Sequence, residues 1–190
     1  MITPFIVQNA VKTIRRDDLG LVLNQLGYTG EGVEVGTYRG DYSVQILTKW
    51  TGKKLYSLDC WEEQNQAVYS DKVPSQEQQQ NYQMTVAKLA AFGPRSQIIK
   101  GFSVPVAETF NDRSLDFAYL DANHSYRATL DDLEAWGPKV RNGGLLCGDD
   151  YTADYPGVAQ AVQEYARWMN LPVYTGCTDR VNWFIFYANL

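Results

Sequence analysis

The chain has 190 residues, a formal net charge of −5 and an apolar fraction of 45%, enough to bury one core in a single domain spanning residues 1–190. No run of lysine or arginine supplies a basic footprint, so no nucleic-acid or membrane partner is expected, and no apolar stretch approaches the roughly 20 residues that span a bilayer. Met1 to Ala10 lacks a signal-peptide pattern, and Cys60, Cys147 and Cys177 are odd in number without metal-type spacing, which reads as reduced cysteines in a cytoplasmic protein rather than a disulfide or zinc set.

Helical and strand patterns alternate along the chain. Residues 1–30 read as an N-terminal helical region, where Leu19, Val22, Leu23 and Leu26 recur at helical spacing and Gly27 supplies the stop. Gly32-Val33-Glu34-Val35-Gly36 is a short apolar strand running into glycine. Val44, Leu47 and Trp50 then fall three apart on one helix face, and Leu55–Leu58 reads as a second strand. From Trp61 to about Gln80 the sequence is polar, with Pro74 and a run of glutamines. This predicts a long loop, 61–80, that leads into a helix and could serve as a lid. Tyr82, Val86 and Leu89 mark that helix, and Gly93-Pro94 ends it. Strands are expected at Gln97–Lys100, Asp116–Leu120 and Leu145–Gly148, with a helix carrying Tyr126, Leu130 and Leu133 between the last two. Pro156 suits a helix first turn, with Asp154 or Tyr155 just before it. The stripe Val158, Val162, Tyr165, Trp168 and Met169 continues that helix. Val173–Thr175 and Trp183–Tyr187 follow with no helix between them, which predicts an antiparallel pair at a sheet edge. The sum is an α/β fold: a doubly wound, mostly parallel seven-stranded sheet with helices on both faces and a C-terminal antiparallel strand. Open sheets of this kind bind ligands outside the carboxyl ends of their strands. The chemistry is therefore expected just after Val35, Leu58, Lys100, Leu120 and Gly148.

The first of these places holds Glu34-Val35-Gly36-Thr37-Tyr38-Arg39-Gly40. Glycines let the backbone approach a ligand and turn into the next helix, whose N-terminus offers unpaired N–H groups. A dinucleotide fingerprint needs G-x-G-x-x-G, and the bulky Thr37-Tyr38-Arg39 argues against a pyrophosphate there. Glu34-x-Gly36-x-x-x-Gly40 resembles instead the first motif of class I S-adenosylmethionine (SAM) methyltransferases, a plain strand-to-helix turn being the other reading. Asp59 closes the second strand about 20 residues later, where a carboxylate can accept both hydrogen bonds of a ribose diol. Cys60 follows it, and Trp61 is placed to cover an adenine ring or to serve as a core or lid residue. The class I resemblance adds Gly101, Phe102 and Ser103 as the border of the adenine. It implies a SAM site made of Glu34, Gly36, Thr37, Tyr38, Gly40, Asp59, Cys60, Trp61, Gly101, Phe102, Ser103 and Asp121.

The late segments carry the most acid. Asp121 ends the fourth strand, and Asp149 and Asp150 end the fifth. Neighbouring parallel strands lie about 5 Å apart, so three carboxylates converge on one rim. Such a cluster is costly unless a cation neutralises it, and an oxygen-only set suits Mg²⁺. The other reading is that one Asp caps a helix while another is solvated.

The order strand-Asp121-Ala122-Asn123-His124-Ser125-Tyr126, helix, Gly143-Gly144, strand, Asp149-Asp150-Tyr151 resembles the methyltransferase branch that includes catechol O-methyltransferase-like and macrolide or aminocoumarin sugar O-methyltransferases. The resemblance runs from about Gly32 to Tyr151. It implies that Asp121, Asp149 and Asp150 bind Mg²⁺, which holds two neighbouring oxygens of a small acceptor and lowers a hydroxyl pKa. Sugar-modifying relatives often place an Asp at the position of Asn123, and it can act as the base. Asn123 cannot, which leaves Asp121 and His124, the single histidine, as the catalytic candidates. His124 reads equally as a structural histidine, and Ser125 as a helix cap. The function expected is Mg²⁺-assisted O-methylation of a small molecule with vicinal hydroxyls, catechol or sugar. The alternatives are a metal-independent N-methyltransferase, a nicotinamide-dependent oxidoreductase and a non-catalytic SAM-binding protein. A homo-oligomer could supply the acceptor wall that the short N-terminal region leaves open.

Overall fold

The computed structural model describes residues 15–64, 73–176 and 182–187. Met1–Ala10, Cys177 and part of the expected 61–80 loop, residues 65–72, lie outside the described residues. Seven strands form one sheet: β1 (Glu31–Val35), β2 (Lys54–Asp59), β3 (Ser96–Lys100), β4 (Leu115–Leu120), β5 (Val140–Gly148), β6 (Val173–Thr175) and β7 (Trp183–Phe186). Their order is β3-β2-β1-β4-β5-β7-β6. The first five run parallel, and β7 lies antiparallel between β5 and β6. The strand order reverses between β1 and β4, the switch point at which such sheets open a crevice.

Alternation along the strands builds a core on each face. Phe117 and Tyr119 of β4 and Phe184 and Phe186 of β7 join one cluster, with α1 (Leu19–Gln25) and α2 (Asp41–Lys49) packed on it. Leu115, Ala118 and Leu120 of β4 and Trp183 and Ile185 of β7 join the other, under α5 (Tyr126–Trp136) and α6 (Pro156–Trp168). Every residue of β4 is buried, as expected for a strand covered on both sides. Ser125 caps α5 by accepting from the Ala128 N–H, and Pro156 opens α6 after Tyr155.

Two expectations are corrected. The loop after β2 does not run to Gln80: α3 (Ser75–Leu89) begins directly after an extended Pro74. Its glutamines and Glu77 are good helix formers, and polarity alone does not make a loop. Its inner face is Asn81, Thr85 and Leu89, while Val86 is exposed. The helix packs on the polar glycine loop as well as on the apolar core: Thr85 Oγ1 donates to the Tyr38 carbonyl at 3.1 Å, and Arg39 Nε donates to Asn81 Oδ1 at 2.8 Å. The second correction is Trp168, which is 57% exposed because α6 buries Val158, Ala161, Val162, Tyr165 and Ala166 instead. A short helix, α4 (Ser103–Ala107), follows β3. Among the described residues no helix is long and apolar enough to cross a membrane.

Trp50 fastens α2 to the loop that enters β1. It is 1% exposed, its indole N–H donates to the Tyr28 carbonyl at 2.6 Å, and its ring meets Phe117 edge-on at 5.1 Å. Replacing it with Phe keeps most of the apolar volume and orphans a buried carbonyl. Trp50→Phe is therefore expected to cost about 1–3 kcal/mol of unfolding free energy in urea titration, at an unchanged m-value.

Candidate functional site

A cavity of about 640 Å³ opens at the carboxyl ends of β1 to β4. Its floor is the exit of β1. Gly36 has φ +94°, and a Cβ there would lie 2.0 Å from the Asp121 carbonyl oxygen. Gly40, at φ +76°, then turns the chain into α2. Both positions need glycine because an L side chain is strained at such φ values. The loop is tied to its neighbours: the Gly36 and Thr37 N–H groups donate to the Leu58 carbonyl, and the Asp121 N–H donates to the Val35 carbonyl.

Asp59 ends β2 on the cavity wall. Its carboxylate accepts from the Tyr38 N–H at 2.8 Å and the Trp61 N–H at 3.0 Å, so its orientation is fixed before any ligand arrives. Gly101, Phe102 and Ser103 form the wall after β3, with Phe102 half exposed. Cys60 also lines the cavity, and burial pushes its thiol pKa up, away from the thiolate. Neither Cys60 nor Cys147 is in a disulfide. Trp61 corrects the expectation of an adenine cover. It is 2% exposed, donates its indole N–H to the Tyr38 carbonyl at 2.7 Å and packs against Tyr82. That hydrogen bond turns the ring under the glycine loop, and Phe102 is the exposed aromatic ring on the β3 wall instead.

Two carboxyls in the wall hold their protons to higher pH than an ordinary carboxyl. Glu34 is 1% exposed and accepts from the Ser43 hydroxyl, which also pairs with Ser57. Burial pushes its pKa up to about 8, helped by the charges of Asp121 and Asp59 and opposed by Ser43 and Arg16. Asp132 had no role in the sequence reading. It is buried on α5, and helical spacing sets it beside Ala128 on the cavity side. Burial lifts it to about 7 against a hydrogen bond from Ser103, whose oxygen accepts from the Trp136 indole at 2.8 Å. The signal in the sequence was an acid inside an otherwise apolar helix face, between Leu130 and Leu133.

The three late aspartates do converge, but not on one another. Arg16, from the short turn before α1, donates Nη2 to Asp121 Oδ2 at 2.6 Å, and its Nε lies 2.5 Å from Asp149 Oδ2. His124 Nε2 lies 2.9 Å from Asp150 Oδ2 and 3.8 Å from Asp121 Oδ1. The expected set of Asp121, Asp149 and Asp150 is thereby regrouped. The donor atoms that come within 4.8 Å of one another belong to Asp121, His124 and Asp150. Asp149 is turned away to Arg16, and Asp150 has φ +60°, which swings these consecutive side chains apart. Burial and the Asp121 charge raise the Asp149 pKa, while Arg16 lowers it.

These residues do not fit the Mg²⁺ site expected. Mg²⁺ takes oxygen ligands and an octahedron, and two of the three expected carboxylates, Asp121 and Asp149, are paired with a guanidinium. The imidazole among the others sits against two carboxylates, its Nε2 nearer Asp150 than Asp121. Burial lowers the His124 pKa, but hydrogen bonding to Asp121 and Asp150, with their charges, outweighs this and raises it to about 10. The Asn123 side-chain oxygen accepts from the Ser125 N–H at 2.8 Å and shapes the turn before α5.

The wall carboxyls give a pH signature. The folded protein binds more protons than the unfolded chain from the ordinary carboxyl range near pH 4 up to the raised values of about 7 for Asp132 and about 8 for Glu34. Stability should therefore fall as pH rises through that window and level off above it. Asp132→Asn keeps an acceptor for Ser103 and removes the titration. Its melting temperature is expected to change less between about pH 5 and about pH 8 than that of the parent protein, measured by thermal unfolding.

With this geometry in hand, comparison with known proteins is informative. The family described as a methyltransferase domain matches residues 33–151, from β1 through the aspartates after β5. Uncharacterized protein R132 of Acanthamoeba polyphaga mimivirus is 26% identical over 167 residues, covering 84% of this chain and 64% of that protein. The chain thus spans just under two thirds of that relative's length. The structure of the O-methyltransferase NovP superposes with a TM-score of 0.69 at 18% identity, over 92% of this chain and 78% of NovP. The O-methyltransferase TomG from Streptomyces achromogenes, involved in tomaymycin synthesis and solved with SAM, gives 0.63 at 13% identity, over 99% of this chain and 92% of TomG. The doubly wound sheet with its late antiparallel strand is the fold of these enzymes, as the sequence led us to expect. The chain belongs to the methyltransferase domain family.

Proposed function

We propose that the chain transfers the methyl group of SAM to a hydroxyl oxygen of a small acceptor with neighbouring hydroxyls, of the catechol or sugar kind. One observation carries this reading: a single cavity joins the glycine loop, Glu34, the fixed carboxylate of Asp59, the Phe102–Ser103 wall and the Asp121 cluster. The likeness of the fold to SAM-bound TomG supports the choice of cofactor.

The residues divide the cofactor between them. Asp59 accepts both hydroxyls of the ribose, with its orientation set by the Tyr38 and Trp61 N–H groups. Phe102 offers a ring face to the adenine, and Ser103 and Asp132 offer polar atoms to its edge. Glu34 recovers its charge when the ammonium of the methionine end arrives, because a nearby cation lowers a carboxyl pKa. Gly36 and the Asp121 backbone, tied together where β1 and β4 end, would bound the space in which the methyl group meets the acceptor. The acceptor oxygen attacks the methyl carbon in line, the carbon–sulfur bond breaks, and S-adenosylhomocysteine (SAH) leaves. Asp121 holds the hydroxyl and takes its proton as the new bond forms. Most of the acceleration comes from this positioning, since the chemistry is a single displacement. The Mg²⁺ assistance expected from the sequence is not assigned a step, because its donors are committed to Arg16 and His124.

The test is cofactor binding by calorimetry. SAH is expected to bind with one site per chain. Asp59→Ala should weaken it at least ~10-fold, since two charge-assisted hydrogen bonds are lost, in protein that still unfolds cooperatively. Tight NAD binding without SAH binding would overturn the reading.

A further inference from the structure

We propose that Arg16 is the resident cation of the acceptor end, bridging the strand-end carboxylates Asp121 and Asp149 and excluding a divalent metal ion from them. The inference goes beyond the function proposed above and does not depend on turnover.

The bridge joins two of the three carboxylates that the sequence assigned to an ion. Asp121 follows β4 and Asp149 follows β5, so the guanidinium joins the rims of two neighbouring strands. Only about a fifth of the Arg16 side chain is exposed, and Asp149 is almost wholly covered. A guanidinium stays charged throughout the physiological range and presents its donors in a planar fork, which suits two carboxylates at once.

The arginine is also held from behind. Its Cζ lies 4.2 Å from the centre of the Tyr42 ring, a cation–π contact, and the Tyr42 hydroxyl donates to the Arg16 carbonyl at 2.9 Å. Lys49 ties the same turn by donating to the Asp17 carbonyl and to Asp18, both at 2.7 Å. Both anchors come from α2, the helix that the glycine loop starts. The cation is thus built into the cofactor side of the fold.

The charges leave little for a metal to do. Asp121 and Asp149 face the Arg16 guanidinium, so a doubly charged cation on them would enter beside a fixed one. An ion taking both Asp121 and Asp149 would have to break two short ion pairs and leave the guanidinium buried and unpaired, which is costly. One of the five N–H donors of the guanidinium is hydrogen-bonded to Asp121, and its Nε lies at ion-pair distance from Asp149. The rest belong to a residue that lines the cavity, where acceptor oxygens can take the hydrogen bonds that a metal would otherwise supply as coordination.

The experiment is a Mn²⁺ titration, followed by electron paramagnetic resonance, on the full chain with and without SAH. The parent protein is expected to show no saturable Mn²⁺ binding below about 1 mM, whereas Arg16→Met should gain a site at least ~10-fold tighter as the repulsion is removed. Arg16→Gln serves as a second variant if Arg16→Met does not fold. Saturable binding to the parent protein at micromolar Mn²⁺, or an affinity unchanged by either substitution, would overturn the proposal. SAH binding is measured on the same samples. Its loss with Mn²⁺ still excluded would sink the SAM reading and leave the role of Arg16 standing.

Discussion

The site depends on one close approach, that of the backbone leaving β1 to the backbone leaving β4. Gly36 lies so near the Asp121 carbonyl that no side chain fits between them, and the Asp121 N–H closes the contact by donating to Val35. These two exits flank the switch point of the sheet. On the function proposed, a cofactor at the first and an acceptor at the second would be brought together by backbone geometry. Displacement at a methyl carbon needs that enforced proximity and little else. The loop's other hydrogen bonds, to Leu58 and between Tyr38 and Asp59, bring β2 into the same rigid unit.

Around that contact the fold handles its acids in two ways. Those in the cofactor wall, Glu34 and Asp132, are buried without a paired cation and keep their protons near neutrality. Asp121, Asp149 and Asp150 stay paired, with Arg16 and His124 between them. Burial costs a carboxylate its hydration, and protonation and pairing are the two means of avoiding that cost. The division matches the ligand proposed. The cofactor brings its own cations, while the acceptor brings hydroxyls that need both a cation and an acceptor of protons.

The sheet was legible because its strands are short apolar runs separated by helical stripes, and the β1 exit because glycines flank a buried acid. The side-chain directions were less legible. Trp61 looked like a cofactor residue, but a φ of +43° and a hydrogen bond to Tyr38 turn it inward. The stripe of α3 was read one residue out of phase, because its buried face carries Asn81 and Thr85 and answers to a polar neighbour. Asp149 and Asp150 were read as a pair, yet adjacent residues on either side of a positive φ point to different partners. Arg16 gave no signal at all. It stands 105 residues from Asp121 in a mixed-charge stretch, Arg15-Arg16-Asp17-Asp18, that reads as solvated surface. A long-range pairing of single charges leaves no periodicity or spacing to find.

The choice of cation bears on which acceptor the site can use. A coordinated metal acts as a Lewis acid and can ionise a weakly acidic alcohol. A guanidinium only donates hydrogen bonds, and it stabilises negative charge on oxygen without replacing the proton. The proton acceptor proposed above is Asp121 rather than His124, whose Nε2 lies 2.9 Å from Asp150. That acceptor is a carboxylate, a weak base that suits an acidic hydroxyl better than a sugar alcohol. A phenolic oxygen, with a pKa of about 10 like that of tyrosine, loses its proton more readily as the carbon–oxygen bond forms. On the function proposed, a resident Arg16 would suit the catechol-like member of the two acceptor classes, with the neighbouring hydroxyl as the group that the guanidinium holds.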